Sequence, residues 1–151
     1  MKFATHEDID APIQTVFDSA TDFDGFERQM LRRGIDVAHD EALPPPMPGA
    51  RWRISLPWRN RTYEIDADLL SVDEGVGYAI EAKSGGVNGL AVVDLVALSK
   101  SRTRLFVSLD LRASSFGSRL LLQSLRLTKS SLTKRFNARI HAFSRSVPTD
   151  D

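Results

Sequence analysis

From Arg51 onward the spacing of apolar residues changes once, and that change constrains the fold of this 151-residue chain more than any other feature. Between Arg51 and Ala113 apolar positions alternate, as on strands with one wet face. Trp52, Ile54 and Leu56 oppose Arg51, Arg53 and Ser55, and Tyr63, Ile65, Ala67 and Leu69 oppose Thr62, Glu64, Asp66 and Asp68. Tyr78, Ile80 and Ala82 continue the pattern, and Gly85-Gly86 marks a turn. Leu105, Val107, Leu109 and Leu111 alternate again before the last strand ends near Ala113. Ser118 to Val147 then contains neither glycine nor proline, and Leu121, Leu125, Leu132, Phe136, Ile140 and Phe143 follow three- and four-residue steps. This predicts one amphipathic helix of roughly 28 residues, about 42 Å long. Alone in water it would leave its stripe exposed, so it has to lie across the sheet.

Ahead of the sheet region, Met1 to Ile9 reads as a first strand with Phe3 and Ile9 on one side. Pro12 suits the first turn of a short helix carrying Ile13, Val16, Phe17 and Ala20. Asp24 is the predicted N-cap of a second helix, with Phe26, Met30 and Leu31 apolar and Gly34 as its stop. Ile35 to Glu41 reads as a brief strand. Leu43 to Gly49 holds four of the seven prolines and reads as a loop of limited flexibility. The fold class is therefore α+β, with about six or seven antiparallel strands, two short helices after the first and a long helix at the end. Residues 1–147 form one domain, followed by a short acidic tail at 148–151.

The absence of cysteine excludes a disulfide scaffold, thiol catalysis and cysteine-ligated metal. The three histidines, His6, His39 and His141, stand far apart and outside any metal-ligand spacing, so neither metal nor cofactor is expected. The longest apolar run, Gly89 to Leu98, is interrupted by Asp94 and is half the ~20 residues a bilayer span needs. The first twenty residues carry acids where a signal peptide has a basic start, and a cytoplasmic location is the expectation. The formal net charge is zero, yet Met1 to Leu98 sums to −8 and Ser99 to Arg145 to +10. Either the basic helix simply solvates one of its faces, or the excess serves an acidic or phosphate-bearing partner.

In order and spacing, Ile9-Asp10-Ala11-Pro12 leading to Val16-Phe17, then Asp22-Phe23-Asp24-Gly25-Phe26, then Gly49-Ala50-Arg51-Trp52 and the closing helix resemble the START-like, or SRPBCC, superfamily. That superfamily includes birch-pollen-allergen-type proteins, polyketide cyclases and lipid-transfer domains. The resemblance covers nearly the whole chain and implies the helix-grip fold, in which a bent antiparallel sheet wraps the long helix and can leave a cavity between them. The proline-rich Leu43–Gly49 loop and the very basic helix depart from many members.

Few residues carry recognisable chemistry. There is no G-x-S-x-G elbow, and Gly85, Gly86 and Gly89 form neither a dinucleotide fingerprint nor a P-loop. Asn60-Arg61-Thr62 places a turn residue at a hairpin tip. His6 falls opposite Phe3 and Ile9 and reads as exposed, His141 as a surface or capping residue, and His39 as able to titrate beside Asp40 and Glu41. Glu7 shares the parity of Phe3 and Ile9, and Asp94 that of Leu90, Val92 and Val96. Each either points into the apolar side, where desolvation suits it to acid–base work, or is kept wet by a bulge or a cavity mouth. Trp52, Ile54, Leu56, Tyr63, Ile65, Tyr78 and Ile80, facing Met30, Leu125 and Leu132, form either a ligand-binding wall or an ordinary core.

Three functions fit these residues. The first is binding, carriage or sensing of a small hydrophobic molecule (a lipid, a quinone or an aromatic or polyketide-like compound) without covalent chemistry. The second is a metal-free cyclase or dehydratase using an inward Glu7 or Asp94. The third is contact with anionic lipid or nucleic acid through Arg119, Arg126, Lys129, Lys134, Arg135 and Arg139.

Overall fold

A computed structural model describes residues 1–149, so Asp150 and Asp151, half of the expected acidic tail, lie outside the described residues. The order is β1 (Lys2–Ile9), α1 (Ile13–Ala20), α2 (Phe23–Arg32), β2 (Asp36–His39), β3 (Arg51–Trp58), β4 (Arg61–Asp73), β5 (Gly77–Ser84), β6 (Val87–Ser99), β7 (Arg102–Ala113), α3 (Phe116–Arg126) and α4 (Lys129–Ser146). The strands form one antiparallel sheet in the order β1-β7-β6-β5-β4-β3-β2. Only β1 has a partner distant in sequence, β7; the other neighbours form a meander, with two- or three-residue turns from β3 to β7 and the proline-rich loop of residues 40–50 between β2 and β3. At the β3–β4 tip Arg59 and Asn60 both take positive φ, 50° and 62°, as a two-residue primed turn requires.

Register decides which face each residue occupies. Tyr78, Val93, Val107 and Thr5 stand side by side across four strands, as do Ile80, Ala91, Leu109 and Phe3. These rows form the inner face. The ladder shifts between Leu69 and Ser71, which turns Leu70 outward and returns Val72 to the core. Helix α1 packs Val16 and Phe17 over Val93, Leu95 and Leu105, and Phe23 at the start of α2 sits on Trp52, Ala67 and Leu69. Helix α4 lies against β1, with Phe136 5.8 Å from Phe3 and Phe143 5.9 Å from Phe26 of α2.

The helix ends depart from the expectations in detail. Asp22, not Asp24, caps α2: its carboxylate accepts the Gly25 N–H at 3.1 Å. Pro12 occupies the N-cap of α1, one position before its first turn. The C-terminal helical segment also does not run unbroken from Ser118 to Val147. It is interrupted at Leu127 and Thr128, where the Thr128 hydroxyl donates to the Leu125 carbonyl at 3.1 Å and competes with the backbone ladder. The long C-terminal helix is therefore the 18-residue α4, preceded by a separate α3 whose Ser115 and Ser118 form a reciprocal cap. Among the described residues no helix is long and apolar enough to cross a membrane.

Candidate functional site

Between the middle of the sheet, α2 and α4 lies a cavity of about 440 Å³. Tyr78, Ile80, Ala91, Val93, Leu105 and Val107 make its floor from the inner faces of β5, β6 and β7. Phe26 and Gln29 of α2 and Ile140 and Phe143 of α4 make its walls, with exposed Arg33 and Arg139 at the rim. The space exists because small side chains, Ala20, Ala91 and Ala142, line it where larger ones would meet. Among the described residues no Asp, Glu or His lines it. Tyr78 is the polar group of the floor; burial raises the pKa of its hydroxyl above the ordinary 10, so it stays a neutral donor and acceptor.

A second, smaller cavity of about 180 Å³ opens at the far end of the sheet, under α3. Leu56, Trp58, Tyr63 and Ile65 of the β3–β4 hairpin face Leu121, Leu122 and Leu125 of α3 across it.

The ten expected wall residues divide between these spaces and the core. Tyr78 and Ile80 line the first cavity, and Leu56, Tyr63, Ile65 and Leu125 line the second. Trp52 is core, 7% exposed and 5.3 Å from Phe23, and Ile54 packs beside it. Met30 and Leu132 are half-buried and line neither cavity. Sequence reasoning did not place Phe26 and Phe143 at the site, although both sat on apolar helix faces. It also did not link Gln29, Arg33 or Arg139 to a cavity: Gln29 and Arg33 look like ordinary surface residues, and Arg139 was read as part of the basic helix face, until α2 and α4 are set side by side.

The two candidate carboxylates separate. Glu7 is on the inner face, as its parity predicts, but it lies outside the cavity lining, with an oxygen 2.7 Å from His141 Nδ1 of α4. Asp94 is a correction: it is exposed on the outer face with Leu90 and Val96. Leu90 to Leu98 is apolar at both parities, so the sequence could not show which set turns inward. Pairing with Tyr78 and Val107 assigns that role to Val93. His6 is exposed beside Phe106.

His39 titrates through a residue the sequence did not link to it. Glu27 of α2 places one carboxylate oxygen 2.7 Å from His39 Nδ1 and 2.9 Å from Trp52 Nε1, which donates to it. His39 and Trp52 are directly paired across β2 and β3, so one carboxylate latches α2 to two strands. The hydrogen bond to Glu27 raises the His39 pKa above its ordinary 6.5. Among the described residues no three His, Asp or Glu side chains converge as metal ligands.

An apolar floor, one neutral phenol and two rim guanidiniums, with no acid or base lining the cavity among the described residues, suit retention of a molecule better than proton transfer. No family model and no curated protein matches the sequence. Solved structures match over nearly the whole chain. A truncated norcoclaurine synthase from Thalictrum flavum aligns with a TM-score of 0.69 at 11% identity, over 96% of this chain and 91% of its own. Ara h 8.0201 aligns with a TM-score of 0.60 at 13% identity, over 94% of this chain and 98% of its own. A START superfamily protein from Mycobacterium smegmatis aligns with a TM-score of 0.55 at 13% identity, over 89% of this chain and 95% of its own. The architecture is the helix-grip fold that these solved structures share.

Proposed function

We propose that the chain binds a small amphiphile, holding its apolar body in the 440 Å³ cavity and its negatively charged or strongly polar end at Arg33 and Arg139. The observation that carries this is the lining itself: a mostly apolar floor and walls, rim arginines and, among the described residues, no carboxylate. A solved norcoclaurine synthase, aligning with a TM-score of 0.65 at 10% identity, is in complex with dopamine and hydroxybenzaldehyde, which supports occupancy of this fold by small aromatic molecules. The catalytic alternative has less support, because Asp94 is on the outer face of the sheet and Glu7 is engaged by His141.

Thermal unfolding in the presence of oleate, oleyl alcohol and dopamine tests this. A ligand at about a hundred times its Kd adds roughly 2.7 kcal/mol, or about 5–11 °C in a chain of this length. Oleate is expected to give the largest rise. Ala91→Phe, which fills the floor, should abolish it, and the double change Arg33→Glu with Arg139→Glu should abolish the preference for oleate over the alcohol. No rise with any of the three, or the same rise in Ala91→Phe, refutes the proposal.

A further inference from the structure

Helix α3 carries two apolar stripes where its contacts use one. At about 100° per residue, Leu121 and Leu125 project to one side and close the small cavity, whereas Phe116, Leu120 and the C-cap Leu127, whose φ of −64° and ψ of −26° are still helical, fall within about 40° of one another on the opposite side. These three are 76%, 52% and 88% exposed. Single exposed leucines are ordinary, but three large side chains in one stripe on a helix already anchored by its other face form a patch.

The surroundings of the stripe are cationic. From Leu111 to Thr149 the chain has eight Lys and Arg and no Asp or Glu. Arg119 and Arg126 flank the stripe on α3, with Arg112 of β7 beside them around a shallow polar hollow. The β3–β4 hairpin, which shares the small cavity with α3, brings Arg59 and Arg61 to the same end of the molecule. Arg59 stacks 4.4 Å from the Trp58 ring and Arg61 lies 5.5 Å from the Tyr63 ring, so both guanidiniums are presented on an aromatic support. Arg112 bonds Asp110, while Arg59, Arg61, Arg119 and Arg126 make no ion pair among the described residues.

We infer that this end of the protein, the outer stripe of α3 with the tip of the β3–β4 hairpin, docks on an anionic lipid surface. The apolar stripe enters the interfacial region, and the unpaired arginines meet lipid phosphates and carboxylates. A flat helix with leucines and a phenylalanine outermost and arginines at its flank matches a bilayer interface, where apolar and anionic layers lie within one side-chain length. A nucleic acid offers the charge but no layer for Phe116, Leu120 and Leu127. The inference does not depend on what occupies the larger cavity.

Co-sedimentation of the full chain with vesicles of phosphatidylcholine, alone or mixed with phosphatidylserine, tests it. The protein is expected to pellet with the mixed vesicles and not the neutral ones, and to be released by salt. Arg119→Glu with Arg126→Glu, and separately Leu120→Ser with Leu127→Ser, should each lower partitioning about tenfold or more. All four positions are exposed, so an unchanged unfolding midpoint confirms that the fold is intact; Leu127→Ser alone, at the most exposed position, serves as a milder second variant. Failure of the wild type to pellet with the mixed vesicles overturns the inference. So does equal partitioning of the leucine variants, which would leave charge alone, and so does capture of single-stranded RNA in preference to the mixed vesicles.

Discussion

Glu27→Ala removes the latch between α2 and the sheet. One oxygen of Glu27 accepts from Trp52 Nε1 at 2.9 Å and pairs with His39 Nδ1 at 2.7 Å, with the glutamate side chain 16% and the histidine 27% exposed. A hydrogen bond to a charged group contributes about 1.5–3 kcal/mol, and a buried donor left unpaired costs about 1–3 kcal/mol. His39 can recover water in the variant, whereas the indole of Trp52 is covered by Phe23. The combined loss is therefore about 2–4 kcal/mol near pH 5, which lowers the unfolding midpoint by roughly 5–15 °C.

The sign of the pH dependence follows from the raised pKa of His39. A histidine that binds its proton more tightly when folded adds stability that is complete below its unfolded value of 6.5 and fades as pH climbs through the folded value. The gap between wild type and Glu27→Ala should thus be widest near pH 5 and narrower near pH 9, where a neutral imidazole still pairs with the carboxylate but without the opposing charge. Glu27→Gln, which keeps an acceptor for Trp52, should recover part of the stability and little of the pH dependence. Urea unfolding followed by circular dichroism at the two pH values measures both quantities. A Glu27→Ala cost below about 0.5 kcal/mol near pH 5, or an equal gap at both pH values, refutes the reasoning.

Three other outcomes follow from local geometry. Gly77→Ala should destabilise by about 3 kcal/mol or more in the same urea assay, since a Cβ there runs into the backbone carbonyl of Val93 on the paired strand, which has no room to move. Tyr78→Phe should leave stability within about 0.5 kcal/mol, because among the described residues no partner bonds its hydroxyl, while weakening only those ligands whose polar atom reaches that floor position, as calorimetry would show. Asp8, held by Arg104 Nε at 2.7 Å, should titrate below its ordinary 3.8 in an NMR pH series and return towards it in Arg104→Ala.

Much of the architecture was legible because strand and helix periods differ. The alternation from Trp52 to Leu111 named the strands and the inner face of β3, β4 and β5, and Gly85-Gly86 named a turn the structure forms with φ of 53° and 83°. The site was less legible. Apolar residues at strand period look the same whether they meet another side chain or an empty volume, so Trp52 in the core and Tyr78 at the cavity belonged to one undivided wall. Leu125 and Leu132 keep helical spacing across the break at Leu127 and Thr128, which hid the separate α3 and with it the outward Phe116–Leu120–Leu127 stripe.

Residue identity and local period were enough for the seven strands, the two short helices after the first strand, the helical character of the C-terminal segment with its basic charge, and the exclusion of cysteine chemistry. The fold was needed to show that Glu7 turns inward and Asp94 outward, that Glu27 joins His39 to Trp52, that the C-terminal segment is two helices, and that the space under them divides in two. Each of those depends on cross-strand register or on helices meeting a sheet far away in sequence. Net charge followed the same division: a total of zero is a sum over residues, but the unpaired arginines at the α3 end owe their place to the fold.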